Sequence, residues 1–134
     1  MAVTNEALAA YGSVKIESAG YGDPHQLISM LMEGAISRLV NAKIALREKR
    51  YADRGRNIQQ AVSIINGLRD CLDLDRGGEL ADRLNALYIY MVSNLLGALM
   101  DKDDVKVEEV RGLMAEIYGG WAEIPVDVRS TFKR

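Results

Sequence analysis

Residues 23–48 run DPHQLISMLMEGAISRLVNAKIALRE, and the spacing of apolar residues within them decides the fold. Ile28, Leu31, Ala35, Leu39, Ala42 and Leu46 recur three and four positions apart, the period that stacks side chains on one face of an α-helix. Asp23 followed by Pro24 is a start signal. An Asp side chain can accept bonds from the free amides of a helix N-terminus, and Pro suits the first helical position. The other proline is Pro125, so the stretch between the two can fold without a proline break.

The same period recurs three more times. After the polar connection REKRYADRGR (47–56), Ile58, Ala61, Val62, Ile65, Leu68 and Leu72 predict a helix from about Asp53 to Asp73. Gly77-Gly78 marks a tight turn. Leu80, Leu84, Leu87, Met91, Leu95 and Ala98 predict an inward face on a third helix over 79–100. The run DKDD (101–104) breaks the pattern and supplies acid to the start of a fourth helix, where Val107, Val110, Met114, Ile117, Tyr118 and Trp121 share a face up to about Ile124. Helices of matched length with short connections predict an all-α, antiparallel up-down-up-down four-helix bundle. The expected organisation is an N-terminal leader (1–22), mobile or short-helical and a possible groove cover, then the bundle (23–124) and a C-terminal tail (125–134).

Composition narrows the function. The 134 residues are 49% hydrophobic but only 6% aromatic, a mixture that favours helices over strands. A net charge of −2 weighs against sequence-independent binding to nucleic acid. One cysteine excludes an internal disulfide framework, and one histidine excludes the paired Glu-x-x-His motifs of a dimetal bundle. No apolar run is long enough to predict a membrane span or a signal peptide, so a cytoplasmic protein is expected. Cys71, beside Asp70 and Asp73, has a thiol that acid neighbours hold protonated, which fits a packing residue better than a nucleophile. His25 stands in the first turn of the first helix, where a structural role near Asp23 outweighs phosphotransfer. From Arg47 to Arg56, five basic residues against two acidic ones give one end of the bundle a local charge of +3. A solvated tip is the default reading, and an acidic docking partner the functional one.

More apolar residues are present than one stripe per helix requires. Met32, Ile36, Val40 and Ile44 form a second line on the first helix; Ala81, Tyr88, Val92 and Leu99 do so on the third; Ile64 and Cys71 lie off the main face of the second. Packing against two bundle neighbours accounts for most of them. The alternative is a groove for an amphipathic partner segment, with Met32, Ile36, Val40, Ile64, Tyr88 and Val92 as candidate partner-facing positions. The leader carries Leu8, Tyr11, Val14 and Ile16, and Tyr11 is the candidate for a displaceable cover that competes with the partner.

Three pieces in register resemble the flagellin export chaperone family, FliS. They are Pro24-His25-x-Leu27-Ile28 with Gly34-Ala35, Gly78-Glu79-Leu80-Ala81 followed by Leu87-Tyr88-x-Tyr90-Met91, and Gly120-Trp121. The resemblance implies a cytoplasmic, non-enzymatic chaperone without a cofactor. Its partners would be the disordered C-terminal segment of flagellin, which it keeps from polymerising prematurely, and a component of the flagellar export gate. Neither nucleic acid nor stable membrane insertion is expected, and a monomer and a homodimer are both compatible with the resemblance. The alternative function is a helical-bundle regulatory adaptor or phosphotransfer module.

Overall fold

The computed structural model describes residues 24–122 except Arg76, and within that range also leaves the side chains of Pro24 and Ala122 undescribed. Four helices follow one another: α1 (Pro24–Arg47), α2 (Tyr51–Asp70), α3 (Gly78–Ala98) and α4 (Val105–Ala122). At 1.5 Å per residue they are roughly 27 to 36 Å long. α1 packs on α2 and α4, and α3 packs on α2 and α4, so the helices close a ring in which sequence neighbours are antiparallel. The expected all-α four-helix bundle is therefore the fold. Asp23, the leader and the tail lie outside the described residues.

The ends of the helices follow from local chemistry. α1 closes in a Schellman motif, in which the Arg50 N–H donates to the Ala45 carbonyl at 2.8 Å and the Lys49 N–H to the Leu46 carbonyl at 3.0 Å. Lys49 occupies the left-handed position of this motif, at φ 60°. With α1 stopped so abruptly, the chain turns in three residues and α2 begins at Tyr51. The polar connection is thus shorter than the sequence predicts, because Tyr51–Arg56 is already helical. Gly78 opens α3 at φ 63°, a conformation that glycine adopts without the steric cost of a Cβ. At the start of α4 the Asp103 carboxylate accepts from the Val105 N–H at 3.1 Å, the role predicted for the acidic run.

The core is one continuous cluster that draws on all four helices. On α2 and α4 the predicted stripes supply it directly, through Ile58, Ala61, Ile65 and Leu68 and through Val107, Val110, Met114 and Trp121. On α3 the deepest line is Ala81, Tyr88, Met91, Leu95 and Ala98, which corrects the predicted inward set. Leu80, Leu84 and Leu87 are only half-buried. Leu80 and Leu87 share a helical line with Asn94, whose amide donates to Glu109 of α4. The α3–α4 contact is the sparsest of the four, so leucines on that side are incompletely covered. Met32, on the second line of α1, is fully buried beside Ile28 and Ala35.

Two polar contacts tie the ends of the ring. The His25 imidazole Nε2 lies 2.8 Å from the Trp121 carbonyl oxygen, and the Trp121 indole N–H donates to the His25 carbonyl at 3.1 Å. A carbonyl can only accept, so Nε2 carries a proton. The two rings stack with centroids 4.6 Å apart. At the other end Arg54 is buried, and its guanidinium donates to the Asp104 carboxylate and to the carbonyls of Ala98 and Asp103, all at 3.0 to 3.1 Å. One side chain of α2 thereby satisfies the end of α3 and the turn into α4.

Candidate functional site

The apolar residues outside the core fall on different seams of the ring, and hydrogen bonds identify which. On α1, Glu33, Ile36, Val40 and Lys43 form one helical line. Glu33 accepts a bond from the Tyr118 hydroxyl, and Lys43 donates to Glu108 at 2.5 Å, both on α4. Ile36 and Val40 therefore lie along the α1–α4 seam between two polar bridges. Arg111 lies on the same line of α4 and is held to Glu108 through two bonds of 2.6 and 2.8 Å. These cations keep the Glu108 carboxyl well below its usual range, at about 2, the Arg111 hydrogen bond contributing most and that of Lys43 next.

Ile64 belongs to another seam. Its Cδ1 lies 3.5 Å from the point where a Cβ on Gly34 would stand, so α2 rests on α1 at the position where α1 has no side chain. Gly34 thus lets the two helices approach closely.

The third seam, between α2 and α3, carries a line of half-exposed apolar residues. Asn85, Ile89, Val92, Leu96 and Leu99 form one line along α3. Its ends meet α2, because Asn85 accepts from the Arg69 guanidinium at 3.3 Å and Leu99 lines a depression with Tyr51 and Gly55. Between these ends Ile89 is 45% exposed and Leu96 50%, while Val92 is partly buried against the core. The depression at the Leu99 end has a volume of about 490 Å³ and is also lined by Leu46, Arg54, Asp101 and Lys102. Nothing stands within 4 Å of the position of a Cβ on Gly55, so that wall is open. Tyr51 is largely exposed and Met100 almost fully so.

The candidate partner-facing residues are thus dispersed. Val92 borders the α2–α3 seam, Ile64 the α1–α2 seam, and Ile36 and Val40 the α1–α4 seam. Met32 and Tyr88 are both 0% exposed and sit in the core cluster, which corrects their placement on a partner-facing line. Tyr11 lies outside the described residues. The sequence reading passed over Ile89, Leu96 and Tyr51. For Ile89 and Leu96 a signal was available: both fall on the same side of α3 as Val92 and farther from the buried line.

The chemical candidates resolve differently. His25 is buried and bonded to Trp121, so its ring is a structural part and is not presented as a phosphoacceptor. Burial, and after it the charge of Asp70, pushes the Cys71 thiol up, in line with a packing role. In the basic segment, Arg54 is internal, while Arg50 and Arg56 both donate to Asp53, at 2.7 and 2.8 Å. Among the described residues, no group of three or more His, Cys, Asp or Glu could hold a metal ion and no helix is long and apolar enough to cross a membrane.

Comparison with known proteins places this geometry in context. The family described as "Flagellar protein FliS" matches residues 4–128. The chain is 42% identical over 123 residues to the flagellar secretion chaperone FliS of Salmonella typhimurium, with 90% of this chain and 91% of the relative covered. It is 39% identical over 117 residues to the flagellar secretion chaperone FliSB of Pseudomonas aeruginosa, covering 87% and 93%. It is 40% identical over 116 residues to the FliS of Escherichia coli, covering 85% of each.

Proposed function

The chain belongs to the FliS family of flagellar proteins, and from that premise we propose that it is a flagellar export chaperone holding the C-terminal segment of flagellin. The family is one of chaperones and not of enzymes. The observation that carries the reading is the half-exposed line Ile89, Val92 and Leu96 on the α2–α3 seam, continued by Tyr51 and Leu99. A contiguous apolar line of this kind on a charged bundle is a surface for a partner. From Asn85 to Leu99 it runs about 21 Å, the length of a helical segment of about 14 residues.

An amphipathic segment laid there with its apolar face down hides the surface that would otherwise drive premature polymerisation. Ordering a disordered segment consumes part of the interaction energy, which suits a cargo that must be released at an export gate component. A cargo chain that continues around the bundle would reach Ile64 on the adjoining α1–α2 seam and then Ile36 and Val40 on the α1–α4 seam. Met32 and Tyr88 would support the surface from below, and Tyr11 would act as the displaceable cover. The protein would work in the cytoplasm.

The test is calorimetric titration with monomeric flagellin, full-length and lacking its C-terminal segment. Binding lost only on truncation supports the proposal. Equal binding of both forms, or none by either, overturns it.

A further inference from the structure

We propose that the outer groove between the C-terminal half of α1 and the first turns of α2 docks an acidic peptide segment of a partner protein. The groove lies on the opposite side of α2 from the α2–α3 seam and forms a depression of about 320 Å³. Arg38 stands on its α1 wall, Arg56 on its α2 wall, and Arg50 at the turn between the two helices. All three are exposed. Asp53 within it accepts from both Arg50 and Arg56, and Glu48 at the turn accepts from Arg50 at 2.8 Å. Arg50 is thus held by two carboxylates, while Arg38 and Arg56 carry most of the groove's available charge. Each guanidinium has five N–H donors, so most of the donor capacity of the three arginines is left over. Exposed ion pairs of this kind are weak and exchange readily with an incoming carboxylate.

Charge alone would fit any anion; the rest of the lining selects among them. Asn41, Asn57 and Gln60 also line the groove, and side-chain amides both donate to and accept from a peptide backbone. Ile44 adds one apolar contact. No aromatic ring lines the groove on which a nucleobase could stack. Asp53, set between two arginines, repels a dense run of phosphates more than it repels carboxylates spaced along a chain.

Two further observations favour a working charge. Lys49 takes the left-handed position at the end of α1 that glycine fills at least cost, and its ammonium, with Arg47, adds positive charge at the turn that bounds the groove. The acidic loop at the same end of the bundle is largely neutralised, because Asp104 pairs with buried Arg54, Asp101 with Lys106, and the exposed Asp103 stands next to Lys102.

The probe is a fluorescently labelled oligoglutamate of about ten residues, followed by anisotropy at low and at physiological salt, with the full chain as receptor. Wild-type protein should bind it with an affinity that falls as salt rises. The double variant Arg38→Glu/Arg56→Glu should lose at least about tenfold, whereas Arg83→Glu, which reverses an exposed cation on α3, should change nothing. The side-chain amide NMR signals of Asn41, Asn57 and Gln60 should shift on titration. If the double reversal lowers the far-ultraviolet helical signal, Arg38→Gln/Arg56→Gln takes its place. Absence of binding at millimolar peptide, unchanged binding by the double variant, or equally tight binding of oligothymidylate of the same length overturns the proposal. Flagellin binding by the double variant should stay at the wild-type level, so the two proposals fail separately.

Discussion

Arg54 and Asp104 form the one buried ion pair among the described residues: their side chains are 6% and 15% exposed, while every other pair is formed by side chains at least 30% exposed. The same guanidinium serves two backbone carbonyls, so its removal leaves a carboxylate and two acceptors without their donors. Arg54→Ala should cost about 3–5 kcal/mol in urea denaturation. Arg54→Lys should recover only part of that loss, because an ammonium lacks the planar fork that reaches three acceptors.

The open seam should separate binding from stability. Ile89→Asp and Leu96→Asp alter exposed positions, so each should weaken flagellin binding by tenfold or more, about 1.4 kcal/mol or above, with little change in melting temperature. Val92→Asp and Ile36→Asp place a charge where the side chain packs against the core. Both should lower the melting temperature by several degrees as well. Titration calorimetry and thermal denaturation on the same four variants check this.

Lys49→Gly should stabilise the protein by about 0.5–1 kcal/mol, since the lysine holds a positive φ at which a Cβ is unfavourable. Chemical denaturation measures the gain. No change would mean that the αL position is already accommodated without cost.

The low carboxyl of Glu108 couples the α1–α4 seam to acid. Its folded value near 2 lies below the ordinary value of 4.5, so its contribution is present above about 4.5 and is lost as pH falls from there toward about 2. The group is substantially exposed, and the contribution is about 0.5 kcal/mol, the scale of surface pairs. Glu108→Gln should flatten that portion of the stability profile between pH 5 and pH 2, read by urea midpoints across the range.

The reciprocal contact of His25 and Trp121 offers its own spectroscopic reporter, because Trp121 is the sole tryptophan. His25→Ala removes the stacked ring and the donor to the Trp121 carbonyl, and should cost about 1–3 kcal/mol. Trp121 emission should shift to the red as water reaches the indole.

Periodicity made the four helices and most of the core legible, because burial against neighbours follows the 3.6-residue repeat on α1, α2 and α4. On α3 it placed Met91, Leu95 and Ala98 correctly and slipped by one residue only in the first half. There Ala81 and Tyr88 are buried in place of Leu80 and Leu87, as Met32 and Ala45 are in place of Leu31 and Leu46 on α1. Apolar lines beyond the core were also legible, but not the seam to which each belongs. That depends on which helix stands beside which face, and it scattered Ile36, Ile64 and Val92 over three seams. Arg54 was counted with the exposed cations because its burial is set by carbonyls about 50 positions away, which no local pattern reports.

His25 and Trp121 are 96 positions apart, so their contact closes nearly the whole bundle into one loop. Closing a flexible loop of that size costs about 4 kcal/mol in chain entropy. An isolated stacked pair could not bear it. The intervening helices shorten that distance, so once they have paired the contact is made at little further cost in chain entropy. Once made, it binds the first turn of α1 to the last turn of α4, two places where a helical domain ordinarily frays. Amide exchange in the second turn of α1 and in the last turn of α4 should consequently proceed as a single opening event.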